Sequence, residues 1–219
     1  MKNILYVLFY ALFFSCSAQK KNNLNEKYTT PISIERKLTS TESKIINDFI
    51  DVELNKERYK NYKDAEIIII EEALNKRQSV ETYIYSNNEW ISMNKVNRRE
   101  DIENQYFLDS LLIKKLKIEL EKEELYHWKV PDFRNIKVSL LKYEELRTII
   151  NTAAYSKFSS RMVIYLSKPL ILNENNAFIS FEVGDGQLGF HSINHFTVLM
   201  RKIDNKWEQS NYYYDGVYN

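Results

Sequence analysis

Between residues 161 and 214 apolar side chains alternate with polar ones, and short turn-forming groups break the pattern at close intervals. Successive side chains leave a pleated backbone on opposite faces, so this two-residue period marks a strand buried on one side. Ala177, Ile179, Phe181 and Val183 point one way while Ser180 and Glu182 point the other. Met162, Ile164 and Leu166 alternate likewise against Arg161, Val163 and Tyr165, and a bend is expected at Ser167-Lys168-Pro169. Asn173-Glu174-Asn175-Asn176 and Asp204-Asn205 are turn-formers that divide the run into hairpins, leaving 207–214 as the last strand. The C-terminal half is therefore expected to be an antiparallel meander.

The N-terminal half carries the helical period instead. Thr39-Ser40-Thr41-Glu42 is a capping-box pattern, in which Thr39 and Glu42 each satisfy a free backbone amide at a helix start. Ile45, Ile46, Phe49, Ile50 and Leu54 then fall on one stripe, with Asn47, Asp48, Glu53 and Lys56 read as its solvated remainder. Ile67-Ile68-Ile69-Ile70 is short and β-branched throughout, which predicts a buried strand. A second short helix is expected over 76–86 and a polar loop over 92–104. Leu108, Leu112, Leu116 and Leu120, widened by Leu111 and Ile118, predict the longest helix over 105–126, and its mixed lysines and glutamates read as a solvated face. Pro131 ends that helix, 136–141 reads as a strand, and 144–150 as a short helix.

The composition limits the partners. Thirty-one Lys and Arg against 30 Asp and Glu leave a formal charge of +1, so there is no global field to recruit nucleic acid. Charged residues at 28% and aromatics at 14% are the composition of a globular chain rather than a disordered one.

Lys2 precedes an apolar run from Ile4 through Phe14, the layout of a secretory signal and too short to span a bilayer. Directly after the run stands Cys16, the only cysteine in the chain. Phe13-Phe14-Ser15-Cys16 resembles the lipobox of bacterial lipoproteins, with Phe13 in place of the usual leucine, as in the looser Bacteroidota-type pattern. That resemblance implies cleavage before Cys16 and acylation of its thiol, with three chains anchoring the protein in a lipid bilayer. The alternative is an ordinary signal cut after Ala18, releasing a soluble secreted protein. With Cys16 consumed no disulfide can form, so the body relies on its core. A polar tether follows, and its Lys20 and Lys21 differ from the acidic residues that Bacteroidota surface lipoproteins carry there, which favours an outer-membrane anchor facing the periplasm. The expected division is signal peptide 1–15, lipidated cysteine and flexible tether 16–37, and one domain 38–219.

Further along, Ser167-Lys168-Pro169-Leu170, Ala177-Phe178-Ile179-Ser180-Phe181 and Lys206-Trp207 resemble the strand pattern of uncharacterised Bacteroidota-type lipoproteins. This resemblance brings no catalytic residues with it. A cone-like sheet over helices, as in the family resembling nuclear transport factor 2, is one specific form the domain can take.

Candidate chemistry is sparse. Gly184-Asp185-Gly186-Gln187-Leu188-Gly189 has the G-x-G-x-x-G spacing of dinucleotide sites, but strand-like sequence follows where a helix is needed, so a turn with a bulge is expected. His191 and His195 are four apart, which on a strand separates them by roughly 13 Å, too far to grip one metal ion without a bend. With Asp185, Glu182 or Asp215 they are nevertheless the candidate catalytic set. Ser92-Met93-Asn94-Lys95 matches S-x-x-K without the companion motifs of serine acyltransferases. His127 and Trp128, beside Tyr126, read either as a core plug or as a surface for stacking on a sugar or peptide. In Tyr212-Tyr213-Tyr214, Tyr213 lies opposite Tyr212 and Tyr214, and at least one face must be exposed or covered by a partner, which makes Tyr212 and Tyr214 candidate ligand-binding residues.

The sequence thus predicts a single α+β domain, its helical half packed on an antiparallel meander, exported and tethered through Cys16. Without a coherent catalytic set, the expected role is a non-enzymatic envelope module that binds a protein, peptide or glycan, with no cofactor and no metal. A periplasmic hydrolase or metal-dependent enzyme using His191 and His195, and an immunity-type lipoprotein, are the alternatives.

Overall fold

A computed structural model describes residues 37–62, 66–94, 106–152, 161–185 and 192–216; Cys16, Ala18, Lys95, Gly186, Gly189 and His191 lie outside them, as does the Asp185 side chain. The first helix, α1 (Ser40–Glu53), starts where the capping box places it. The Glu42 amide donates to Thr39 Oγ1 at 3.2 Å and the Thr39 amide to Glu42 Oε2 at 2.8 Å. Strand β1 (Glu66–Ile70) follows, then α2 (Lys76–Asn94), α3 (Ser110–Leu120), β2 (Val138–Leu141) and α4 (Tyr143–Ile150). The remaining strands are β3 (Arg161–Leu166), β4 (Leu170–Asn173), β5 (Asn176–Asp185), β6 (Ser192–Ile203) and β7 (Lys206–Tyr213).

All seven strands form one mixed sheet in the order β2-β1-β3-β5-β6-β7, with β4 beside β5. The fold class is α+β. From β3 to β7 the pairings are antiparallel. The meander is extended by the isoleucine strand: β1 pairs in parallel with both β2 and β3, so two strands from the helical half complete the sheet. Strands β3 and β4 pair with successive stretches of β5, interrupted by the expected bend at Ser167-Lys168-Pro169. Asp204 and Asn205 have φ of 47° and 62°, the left-handed conformation that a two-residue hairpin between twisted strands demands.

Three expectations about the helices change. The longest helix is α2, with 19 residues running through Ser92, whereas α3 has only 11. Asp109 sets the start of α3 by accepting from the Leu112 amide at 2.8 Å, so the leucine period before it is not helical. Its stripe is narrower too: Leu116 and Leu120 are buried, while Leu111 and Ile118 are 76% and 58% exposed.

The sheet is covered on both faces rather than one. On the first face Phe49 and its neighbours in α1 pack on Ile164, Ile179, Phe181, Phe196 and Trp207. On the second, Val80 and Tyr83 of α2 and Leu116 of α3 pack on Phe178, Leu199 and Tyr213, and Leu146 of α4 packs on Ile68, Ile70 and Val163. Ser180, expected at the surface, is consequently fully buried. A bulge opposite Leu199 and Met200 shifts the phase of β7. That shift puts Trp207 and Tyr212 on the first face and Tyr213 on the second. Among the described residues, no helix is long and apolar enough to cross a membrane.

Candidate functional site

The alternation of β6 delivers His195 to the second face, directly opposite Glu182 of β5. Its ring is enclosed, with 7% of the residue exposed. Nδ1 lies 2.8 Å from Asp215 Oδ2, and Nε2 lies 2.6 Å from Gln78 Nε2 on α2. The imidazole is thus held between a carboxylate on its Nδ1 side and a primary amide on its Nε2 side. Beside it a hydroxyl row crosses from helix to sheet: Ser79 Oγ is 2.7 Å from Ser180 Oγ, which is 2.9 Å from Thr197 Oγ1. The tail after β7 closes this arrangement. Gly216, at φ 73°, passes so near Tyr85 of α2 that a Cβ there would lie 2.6 Å from the phenol oxygen.

The expected pairing of His195 with a carboxylate is therefore present through Asp215, while His191 and the Asp185 side chain lie outside the described residues. Among the described residues no three His, Cys, Asp or Glu groups converge to hold a metal ion. Gly184 is part of strand β5, pairing with Ser192 across a register shift next to Val183. Gly184 thus lies in a strand at a register shift, while the later glycines of the spacing, Gly186 and Gly189, lie outside the described residues.

His127 and Trp128 separate. Trp128 is a core side chain, 1% exposed, donating from Nε1 to the Leu166 carbonyl at 3.0 Å and packed against Tyr126 and Phe133. It is not available to stack on a ligand, because the core already covers it. His127 stays exposed, with Nδ1 3.3 Å from Glu71 Oε1. A nearby open depression lined by Ala73, Lys76, Glu123, Tyr126 and Lys168 holds only about 10 Å³, far less than the roughly 300 Å³ at which drug-sized ligand sites begin. Here Lys168, in the bend between β3 and β4, reaches Glu42 at 2.9 Å. Burial pushes the pKa of Glu42 up, but the Thr39 amide and Lys168 more than offset this and hold it below the ordinary carboxylate value.

A second polar centre lies on the first face and was not expected. Glu53, the last residue of α1, is fully buried. Its Oε1 is 3.1 Å from Arg58 Nη2 and accepts from Tyr59 OH at 3.2 Å. Oε2 accepts from Lys56 Nζ at 2.5 Å, Gln209 Nε2 at 3.1 Å and Tyr212 OH at 3.3 Å. Lys56 Nζ also reaches Gln209 Oε1 at 2.6 Å and the Tyr212 hydroxyl. Burial lowers the Lys56 pKa against the opposing pull of Glu53. Burial, reinforced by Glu53, raises that of Tyr212. Around this centre stand Phe196, Tyr212 and the 42%-exposed Tyr214, the last with its ring 6.2 Å from that of Phe196.

A signal for Glu53 exists in the sequence. It stands three residues after Ile50, four after Phe49 and seven after Ile46, so helical geometry places it in the apolar stripe. A carboxylate there must find cations, and Lys56 and Arg58 follow at once. No protein-family model, curated protein or solved structure matches this chain.

Proposed function

We propose that this protein is a membrane-tethered lipoprotein of the cell envelope, held through acylated Cys16, that acts as a non-enzymatic binding module. The observation that carries the tether is the position of the sole cysteine, directly after an apolar run that follows Lys2. The basic residues after it favour the periplasmic side of the outer membrane. Binding is supported over catalysis by the state of His195. A general base must reach a substrate proton with a free nitrogen, yet the Gln78 amide and the Asp215 carboxylate face its two nitrogens from within the fold. By contrast, Tyr212, beside Arg58, and the exposed Tyr214 both pack on Phe196 and offer a surface on which a partner can be received.

Labelled palmitate fed to cells that make the protein tests the tether. The label is expected in the wild-type chain, with the protein in the membrane fraction, and in neither place for Cys16→Ala. Equal label in that variant, or none in the wild type, removes the anchor from this reading.

A further inference from the structure

The inference rests on the binding-module reading and adds the chemistry of what is bound. Glu53 receives five donors, while its two oxygens offer about four lone-pair sites; it is saturated from within. Lys56 is spent as well, since its ammonium has three N–H groups and reaches Glu53, Gln209 and Tyr212. Arg58 is different. Among the described residues its ion-pair partner is Glu53, engaged through Nη2, out of five N–H groups in a guanidinium. Its side chain is 36% exposed, and its Cζ lies 5.5, 5.6 and 5.9 Å from the ring centroids of Tyr59, Phe196 and Tyr212.

Two cations thus surround one carboxylate, and the surplus charge stands at the surface on a side chain fixed by a carboxylate behind it and aromatic rings around it. A guanidinium ordered in advance loses little freedom when it takes up a ligand, and its planar fork matches two oxygens at once. Tyr212 lies against it and Tyr214 packs on the same Phe196 ring, rigid amphipathic side chains of the kind that meet peptides at low entropic cost. We propose that Arg58 is the docking cation for a peptide carboxylate, from either a free C-terminus or an acidic side chain, with Tyr212 and Tyr214 contacting the adjoining residues.

The test titrates the full-length chain in detergent micelles and follows the Arg58 Nε–H resonance. The probes are alanyl-alanine, N-acetyl-glutamate amide, alanyl-alanine amide and inorganic phosphate. Saturable shifts with one or both carboxylate probes, and none with alanyl-alanine amide, are expected; which carboxylate binds tells the terminal source from the side-chain source. Arg58→Gln should weaken that binding at least about tenfold, since a charge-assisted pair is lost, while lowering the melting temperature by only about 1 °C. Arg58→Lys should restore little, for want of the fork. If Arg58→Gln unfolds the chain, Tyr214→Ala serves in its place, and a severalfold loss is expected in that exposed-residue variant. Equal binding of alanyl-alanine amide overturns the proposal, as do tighter binding of phosphate than of either carboxylate, meaning an adventitious ion only, and absence of saturation at millimolar probe. None of these results bears on palmitate incorporation, so the tether and the carboxylate site fail separately.

Discussion

His195 and Arg58 stand over opposite faces of one sheet, and each is set against a carboxylate, yet the two arrangements balance differently. Around His195 the two ring nitrogens face Asp215 on one side and Gln78 on the other. Around Glu53 there is one carboxylate for two cations, and the second cation stands at the surface. A side chain enclosed between groups of its own fold describes a joint, in this case between the C-terminal tail, α2 and β6. A mismatch that faces solvent describes a place where something else can complete the set. Counting partners, rather than noting which residue types titrate near neutral pH, tells the two regions apart.

The largest effect should come from the hub of the second region. Glu53→Ala leaves Lys56 half-buried without its counter-ion, a loss of about 3–5 kcal/mol by analogy with other broken buried ion pairs, read by urea unfolding. If the loss were below about 1 kcal/mol, the network would be a surface feature and the contrast would collapse. His195→Ala should cost about 1–3 kcal/mol, because Gln78 and Asp215 lose a buried partner. Asp215→Asn should cost less, and the two changes together less than their sum, the mark of a shared contact. Thr39→Ala, outside both regions, should cost about 1 kcal/mol through loss of the helix cap and serves as a scale.

The pH dependence sharpens the same comparison. The pKa values of Tyr83, Tyr212 and Tyr213 are raised by burial, so the folded state holds these protons more tightly than the unfolded chain does. Their contribution is fully present below about pH 10, the ordinary tyrosine value, and is lost as pH rises above it. Lys56, whose pKa is lowered by burial, acts oppositely and favours the fold as pH climbs toward 10.5. Three tyrosines oppose one lysine, so the melting temperature should fall between pH 10 and 11, and Tyr212→Phe should make that fall shallower. At the acid end the depressed pKa of Glu42 gives stability present above about pH 4.5 and lost as pH falls through its folded value; Glu42→Gln should flatten that limb. The smallest effect on stability belongs to Arg58→Gln, a few tenths of a kcal/mol for a side chain one-third exposed, against its expected tenfold effect on carboxylate binding.

Local signals account for what could be read from the sequence. The capping box, the hairpin turn at Asp204-Asn205, the isoleucine strand and the alternation within β5 each depend on a few adjacent residues, and each appears as expected. What could not be read depends on partners distant in sequence. The period of β5 looks one-sided because Ser180 is small and polar, yet Ser79 of α2 and Thr197 of β6 satisfy its hydroxyl inside the core. The leucine period before α3 overstated that helix because Asp109 caps it late. Trp207 and Tyr212 share a face only because of the bulge in β7, which no periodicity reveals. In the candidate sites, the link between His195 and Asp215 was anticipated as a type of pairing, whereas Gln78 carries no sequence signal at all. Glu53 did carry one, its place in the apolar stripe of α1, masked by the habit of reading every charged residue as solvated.

The parallel pairing of β1 also sets an order of events in folding. A chain growing from its N-terminus presents Ile67, Ile68, Ile69 and Ile70 long before Val138 to Leu141 or Arg161 to Ile164, with which β1 pairs. The hairpins joining β5, β6 and β7 close over short loops and form quickly, whereas β1 waits for two distant segments and bears the loop-closure entropy of both. During that wait four consecutive isoleucines form an unpaired, uncharged strand edge, the kind of segment that recruits other chains. The slow step of refolding and the first site of aggregation should therefore coincide at β1.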